Sequence, residues 1–366
     1  MSHAGTSPRV AGAAPWTALV AALVLVAGAG LASLFLGSRS VDPAVVSEVL
    51  LRIPGMVMGQ DSGATADIET AVVLSRVPRT LTAILVGAAL AVAGAGLQGV
   101  SRNPLGDPGL LGLNAGASAG IVIGLGWFGA ATSWEMGAAS LAGTLVAAAL
   151  VFGLSQIGST SPTPVGLTLS GAAVNAGFIA LTSAIVLTHS DILDRFRYWN
   201  IGSVSRADAA DLSAALPLIA VGLALVIFGS SGLNAMALGD DLAHGLGVDL
   251  RLQRLIVFLG VVLLAGSATA AAGPISFVGL LIPHAIRRLV GGDYRWIVVL
   301  SLLLGPALLL LADVGIGLGP VLLGAILSAT GYGPMYAGLA VVVVVAGVFY
   351  HAVHGRHQAA RRRQVA

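Results

Sequence analysis

Residues 80–99, TLTAILVGAALAVAGAGLQG, form an apolar run that contains one amide, Gln98, and no charged side chain. A helix needs about 20 predominantly apolar residues to cross the hydrocarbon core of a bilayer. In the whole chain 57% of the residues are hydrophobic and 9% are charged, and the mean hydropathy is +0.95. Soluble domains carry about 25% charged residues. The sequence therefore predicts an all-α polytopic membrane protein.

Similar apolar runs recur along the chain and predict about ten spanning helices. The candidates lie near residues 16–36, 80–99, 109–130, 134–157, 164–188, 209–229, 252–272, 276–290, 296–313 and 320–350. The eighth run is short and contains Pro283, and the tenth is interrupted by ATGYGP at 329–334. An even number of spans places both termini on the same side of the membrane.

The basic residues are all arginines, and their distribution predicts the orientation. With the N-terminus inside, eleven arginines fall on the cytoplasmic side and seven outside, as the positive-inside rule requires. We therefore expect a cytoplasmic N-terminal tail (1–15), a transmembrane domain (16–350) and a basic cytoplasmic C-terminal tail (351–366). The first apolar run is too long for a signal-peptide core, so we interpret it as an uncleaved span.

Residue types that are missing exclude several kinds of chemistry. The chain has no cysteine and no lysine, which excludes thiolate nucleophiles, Schiff bases and the phosphate-binding lysine of a nucleotide-binding loop. His351, His354 and His357 are spaced like a solvated helix end, and we predict no metal site, cofactor or nucleic-acid partner. If ATP hydrolysis drives this protein, another chain must perform it.

Glycines at helical spacing predict close packing between helices. Gly112, Gly116, Gly120 and Gly124 recur at every fourth residue, a pattern that lets a neighbouring backbone approach. GASAG at 116–120 also matches a nucleophile-serine motif, and GSSG at 229–232 resembles the serine motif of intramembrane proteases. We favour packing for both motifs, because Ser118 lies within the glycine stripe and lacks a nearby histidine.

The segment GDDLAHGLGV, residues 239–248, is a polar island between the sixth and seventh runs. Asp240 and Asp241 suit the positive end of a short helix, and Leu242 and Leu246 lie four residues apart on one side of it. Three glycines permit a chain reversal, at Gly239, Gly245 and Gly247. We predict two short helices that form a cytoplasmic knob able to enter a cleft in another protein, with an ordinary charged loop as the alternative.

Two arginines, Arg76 and Arg79, flank Pro78 just before the second run. They could extend to lipid phosphates, as interfacial arginines do. They could instead dock the carboxylates of an external partner, since guanidinium pairs well with carboxylate. Composition alone favours the lipid interpretation.

Four sequence blocks follow one another between residues 76 and 295. They are RVPRTLTAILVGAALAVAGAGLQGVSRNPLGDPGLLGLNAGASAG (76–120), YWNIGSVSRAD (198–208), ALGDDLAHGLGVDL (237–250) and GPISFVGLLIPHAIRRLVGGDYR (273–295). Together they resemble the FecCD-type permeases of bacterial ABC importers for iron-siderophores, haem and cobalamin. One departure is Gly317, which stands where the family usually has a third outward arginine.

The resemblance implies a cobalamin-permease-like bundle in the inner membrane of a bacterium. Its partners would be a second permease subunit, two ATP-binding cassette subunits, an external substrate-binding protein and membrane lipid. Arg76 and Arg79 would dock the binding protein, and segment 233–250 would couple to the ATPases. The coupling residues would be Gly239, Asp240, Asp241, Ala243, His244, Leu246 and Gly247. Residues of the pathway or its packing would be Gln98, Asn103, Pro104, Asn114, Gly116, Pro283 and His284.

The function implied is import of an iron chelate by ATP-driven alternating access, with no catalytic residue in this chain. A haem or cobalamin importer of the same type is the first alternative. A stand-alone secondary transporter is the alternative from another class, although such proteins usually carry ionisable groups near the middle of the membrane. An intramembrane hydrolase, which would need Ser118 or Ser231, is a third.

Overall fold

A computed structural model describes residues 14–37, 39–57, 67–157, 164–206, 209–345 and 347–348. The predicted N-terminal tail up to residue 13 and the whole predicted C-terminal tail, with His351, His354 and His357, lie outside the described residues. The α-helices, in chain order, are α1 (Pro15–Phe35), α2 (Pro43–Val57), α3 (Ile68–Ser101), α4 (Leu113–Trp127), α5 (Ser133–Ser155), α6 (Pro164–Thr188), α7 (Ser190–Asn200), α8 (Ala209–Ala237), α9 (Asp240–Gly245), α10 (Leu250–Ala272), α11 (Val278–Val290), α12 (Tyr294–Thr330) and α13 (Tyr332–Val345). A short 3-10 helix (Val204–Arg206) precedes α8.

Seven of these helices are long and apolar enough to cross a membrane, namely α1, α3, α5, α6, α8, α10 and α12. Helices α4 and α13 are apolar but shorter. No strand occurs in the described ranges. The predicted all-α polytopic membrane fold is therefore confirmed.

The chain forms two compact units. Of the described residues, the first unit contains those up to 35 and from 41 to 313, and the second contains those from 36 to 40 and from 314 onward. All of the candidate site residues predicted from the sequence belong to the first unit. Within the second unit, the helix that ends at Thr330 is separated from α13 by Gly331, which has a φ of 81°.

Helix α3 is the central element of the first unit and packs against α1, α2, α8, α10 and α11. Small side chains make this possible: a Cβ on Gly94 would lie 2.0 Å from the carbonyl oxygen of Gly279 in α11. A Cβ on Gly87 would lie 2.7 Å from the carbonyl oxygen of Gly305 in α12. Without a hydrophobic driving force between helices in lipid, such close contact between backbones is what holds a bundle together.

The glycine stripe of α4 packs against α5, as predicted. A Cβ on Gly116 would lie 2.6 Å from the carbonyl oxygen of Gly143, and one on Gly120 would lie 2.1 Å from that of Ala139. Gly112 differs from the rest of the stripe. It precedes α4 with a left-handed φ of 76° and contacts the backbone of Asn175 in α6.

Several boundaries differ from the predicted ones. Helix α3 begins twelve residues before the predicted span, and α8 continues past residue 229 to Ala237. The interval 314–319, which we had predicted to separate two spans, is helical and lies within α12. Hydropathy marks the apolar part of a helix and not its polar extension, so it predicts such helices too short.

Two helices, α2 and α7, were not predicted. Both are short, and α7 mixes four charged residues with an apolar face. Ile192 and Phe196 on that face are buried in a cluster with Val122 of α4. Amphipathic helices of this length give no signal in a search for long apolar runs.

Candidate functional site

Polar residues gather at the two ends of α3. Arg79 lies about three turns into this helix and Arg102 directly follows its end. Twenty-three residues at 1.5 Å per residue separate them by about 35 Å, slightly more than the roughly 30 Å hydrocarbon core. We call these regions the Arg79 end and the Asp240 end, after the acidic partner of Arg102. They lie in different parts of a helix that is long and apolar enough to cross a membrane.

At the Asp240 end, the predicted knob contains one short helix, α9, and not two. Gly239 (φ 111°) and Gly247 (φ 78°) have left-handed φ values at either side of it, whereas Gly245 is an ordinary helical residue. The chain therefore reverses at two of the three predicted glycines. Helix α9 packs against α8 and α10 through Ala243, which is completely buried.

The exposed surface of α9 and its flanking residues carries large apolar side chains. Leu242 and Leu246 are 61% and 65% exposed, and Leu238 just before the helix is 60% exposed. Asp241 and His244 lie beside them in solvent. Large apolar side chains that remain exposed on a protruding helix are typical of a docking surface for another protein.

Asp240 attaches this knob to the membrane domain. Its carboxylate pairs with Arg102 at the end of α3 and with Arg254 of α10, with Nη2 of Arg254 3.0 Å from Oδ1. Partial burial by itself raises the pKa of Asp240. The hydrogen bond from Arg102 and the charges of Arg254 and Arg102 lower it by more than burial raises it, so the net pKa lies below the ordinary value. The carboxylate is ionised at neutral pH, and α9 is tied to two long helices.

A second polar contact joins the end of α8 to the start of α12. The side-chain amide of Asn234 donates to Asp293 at 2.6 Å and its oxygen accepts from the backbone N–H of Tyr294 at 2.8 Å. Arg287 of α11 donates to the hydroxyl of Tyr294 and also lies over its ring, 5.2 Å from the centroid. The end of α8, from which the knob emerges, is thus joined to α11 and α12.

At the Arg79 end, the structure engages both predicted docking arginines internally. Arg76 is 4% exposed and donates to the carbonyl oxygens of Leu34 and Phe35 at 2.9 and 3.0 Å. Arg79 pairs with Asp313 at 2.5 Å, and Ser205 donates to the same carboxylate at 3.1 Å. Asp313 is 3% exposed. Sequence reasoning missed this aspartate because nothing in a linear pattern relates it to residue 79.

The segment after Arg102 turns back along α3. Asn103 accepts a hydrogen bond from the backbone of Leu105 at 3.0 Å and stabilises the turn, while Pro104 is exposed. Asp107 is 5% exposed and lies beside Gly279, at the level of Gly94. Gly94 precedes Arg102 by eight residues, so this level is about 12 Å along α3 from its end. The segment therefore re-enters the membrane domain.

Gln98 and Asp107 both hold the beginning of α11. Gln98 donates through Nε2 to the carbonyl oxygens of Gly279 and Leu280. Asp107 accepts hydrogen bonds from the backbone N–H groups of Gly109, Leu110 and Leu280. Because Leu280 is in the first turn of α11, the carboxylate satisfies an N–H that the helix itself leaves free. Asp107 was not among the predicted residues.

One of the remaining predicted residues, Asn114, lines a cavity of about 500 Å³ between α4, α6 and α11. Asn114 accepts from Thr269 at 3.3 Å. Pro283 is buried and His284 is half-buried, both in α11 beyond the residues that line the cavity. The hydroxyl of Ser118 donates to the carbonyl oxygen of Asn114 in its own helix at 3.0 Å, the local bond expected of a packed helical serine.

Comparisons with known proteins agree with this architecture. The model of the FecCD transport family matches residues 22–331. The ferric enterobactin transport system permease protein of Escherichia coli (strain K12) is 41% identical over 283 residues, which cover 77% of this chain and 81% of that protein. An iron(3+)-hydroxamate import system permease protein of Bacillus subtilis (strain 168) is 39% identical over 239 residues, covering 65% of this chain and 62% of the relative.

A solved structure is also similar. It is an inward-facing conformation of a metal-chelate type ABC transporter, with a TM-score of 0.66 and 26% identity, covering 82% of this chain and 90% of that one. The family model alone matches far more than half of the chain. The protein is a multi-span membrane permease and belongs to the FecCD transport family.

Proposed function

We propose that this chain is a permease subunit of a binding-protein-dependent ABC importer that moves an iron chelate across the inner membrane. It would act with a second permease subunit, two separate ATPase subunits and an external binding protein. Both termini and the Asp240 end would face the cytoplasm. The observation that carries the proposal is the knob at residues 239–248, with its exposed leucines and its ion pairs to two spanning helices.

The geometry suggests how ATP hydrolysis would reach the pathway. A movement of the ATPase subunits would displace α9, and Asp240 would transmit that displacement to α3 through Arg102 and to α10 through Arg254. Such coupling requires two global states that the ATPases favour differently. Arg102 also begins the re-entrant segment that leads to Asp107 and the start of α11. Alternating access would follow from the tilt of these helices.

The cargo class rests on the relatives, whose names specify ferric enterobactin and iron(3+)-hydroxamate. An iron-siderophore complex is accordingly our first choice, and haem or cobalamin the runner-up. We retain Gln98, Asn103, Pro104, Asn114, Gly116, Pro283 and His284 as residues of the pathway or its packing. Gly116 serves packing through its contact with Gly143.

We also retain Arg76 and Arg79 as candidate docking residues at the Arg79 end. Since Asp313 already neutralises Arg79, a glutamate of the binding protein would have to displace Asp313. The variant Asp313→Asn removes this competitor and should therefore tighten binding-protein association severalfold, measured by biolayer interferometry on nanodisc-embedded transporter. Weaker or unchanged association would exclude Arg79 from docking.

The coupling role of the knob can be tested by placing charge on its apolar surface. The double variant Leu242→Asp/Leu246→Asp should prevent the ATPase subunits from copurifying with the permease, because two carboxylates would be desolvated in the contact. Leu51→Asp is the matched control, since Leu51 is an 82% exposed leucine in α2, which packs at the other end of α3. Equal copurification of both variants would refute the assignment.

A further inference from the structure

The cavity between α4, α6 and α11 carries an unusual number of polar groups for a membrane domain. The helices around it supply apolar walls, including the exposed side chains of Leu110 and Ile179. Its polar lining consists of Asp107, Asn114, Ser118, Asn175, Asn200 and Ser276. Its volume of about 500 Å³ lies within the range of small-molecule sites.

Much of the hydrogen-bonding capacity of this lining is unused. Among the described residues, the amides of Asn175 and Asn200 and the hydroxyl of Ser276 have no hydrogen-bond partner, and Asn114 uses only its oxygen. Asn200 and Ser276 are exposed and Asn175 is half-buried, so these groups are open to a guest that enters the cavity and can offer it hydrogen bonds. Asp107 and Ser118 are engaged by their own chain.

Phe277 at the edge of the cavity supports the same interpretation. It has a left-handed φ of 71°, which is unfavourable for an aromatic residue, and its side chain is 68% exposed. Strained backbone of this kind persists where the surrounding structure holds it, and it concentrates at binding sites and switches. Here the strain keeps an aromatic ring beside a group of free amides.

The charge of the lining restricts the guest. Among the residues that the structure describes, no arginine, lysine or histidine lines the cavity. The ionisable side chain in this described lining, Asp107, is an acid whose oxygens already accept three backbone N–H groups. A polyanion would find no counter-charge in this lining and would lose part of its hydration on entering the cavity. A neutral ligand with oxygen atoms on its surface would find several N–H donors.

We propose that this cavity is a binding station for the cargo and that it selects uncharged ferric hydroxamates over polyanionic ferric catecholates. Three hydroxamates cancel the charge of ferric iron, whereas three catecholates leave three negative charges. The inference rests on the proposed import function and extends it to a substrate class. It makes Asn175 and Asn200 ligand-contacting residues, and Asp107 a positioning residue that holds α11.

Direct ligand binding to the full transporter in nanodiscs, without the binding protein, tests the station. Equilibrium dialysis with radioactive iron would compare ferrichrome, a neutral hydroxamate, with ferric enterobactin, a catecholate. We expect ferrichrome to bind at least tenfold more tightly. Asn175→Leu/Asn200→Leu should weaken ferrichrome binding about tenfold, because each lost hydrogen bond costs roughly threefold or more, and Asn175→Arg should improve binding of ferric enterobactin.

Gln156→Leu is the matched control, since Gln156 is an exposed amide away from the cavity. Thermal midpoints of all variants verify folding, and Asn175→Gln should retain partial binding. Equal affinity for both chelates, or unchanged binding after loss of both amides, would overturn the proposal that this cavity is a binding station.

ATP-driven uptake by the same complex distinguishes a failure of the binding station from a failure of the proposed import function. Uptake of ferric enterobactin without hydroxamate preference refutes only the station, and uptake of neither chelate refutes the function.

Discussion

The ion pair between Arg79 and Asp313 gives a prediction whose size follows from its burial. The carboxylate is 3% exposed and the guanidinium side chain 14% exposed, with nitrogen and oxygen 2.5 Å apart. The variant Asp313→Asn keeps the size of the side chain but removes the charge, and it leaves Arg79 without a counterion. The hydrogen bond from Ser205 can still form to the amide oxygen.

Removal of one partner from a buried ion pair costs about 3–5 kcal/mol. Because Arg79 retains some contact with solvent, we expect the lower limit, about 3 kcal/mol. A chain of this size loses roughly 2 °C of melting temperature per kcal/mol. The thermal midpoint of Asp313→Asn in detergent, followed by tryptophan fluorescence, should therefore fall by about 6 °C.

The chain offers a matched control in the exposed pair of Arg52 and Glu48, whose side chains are 53% and 59% exposed. Glu48→Gln should change the midpoint by less than about 1 °C, because exposed pairs contribute little. The double variant Arg79→Met/Asp313→Leu should recover most of the loss, since it leaves no unpaired charge. If Asp313→Asn is as stable as Glu48→Gln, the pair does not hold α3 to α12.

Two further predictions concern packing and pH. Gly143→Leu should disrupt the bundle, because its Cβ would lie 2.0 Å from the carbonyl oxygen of Gly116. Gly137→Leu on the same helix is the control, since a Cβ there meets nothing within 4 Å. Equal size-exclusion profiles of the two variants would contradict this prediction. Asp240→Asn should lower the thermal midpoint at neutral pH. Folding lowers the pKa of Asp240, so the stability that its carboxylate contributes is fully present above the ordinary pKa of 3.8 and is lost as the pH falls through the pKa of the folded protein. The difference in thermal midpoint between wild type and Asp240→Asn should therefore be constant between about pH 8 and 5 and shrink below about pH 4. A difference in midpoint that vanished near pH 6 would exclude these ion pairs.

Apolar runs and glycine spacing were sufficient to predict the membrane class, the close helix packing at the glycine stripe and the polar segment at 239–248, but not that the partner of the stripe is α5. These features depend on residues that are near one another in sequence. The partners of Arg79 and Arg102 depend on contacts across more than a hundred residues. No periodicity reveals such pairs, so the internal engagement of Arg79 required the structure.

The cavity illustrates the same limit. Asn114 and Asn175 are single amides within two predicted spans, and nothing in the sequence relates them to one another. Only the fold brings them beside Asn200 and Ser276, and only the fold places Asp107 under the first turn of α11. A buried acid in a re-entrant segment cannot be distinguished from a loop aspartate by hydropathy.

The central claim is that this permease is driven by separate ATPase subunits acting at α9. Radioactive iron uptake into proteoliposomes tests it most directly, with the permease alone and with the ATPase and binding protein added. The account predicts no uptake by the permease alone under a proton or sodium gradient, and uptake that requires ATP when all components are present. Gradient-driven uptake by the permease alone, or uptake that continues after ATP depletion, would contradict it and favour a secondary transporter.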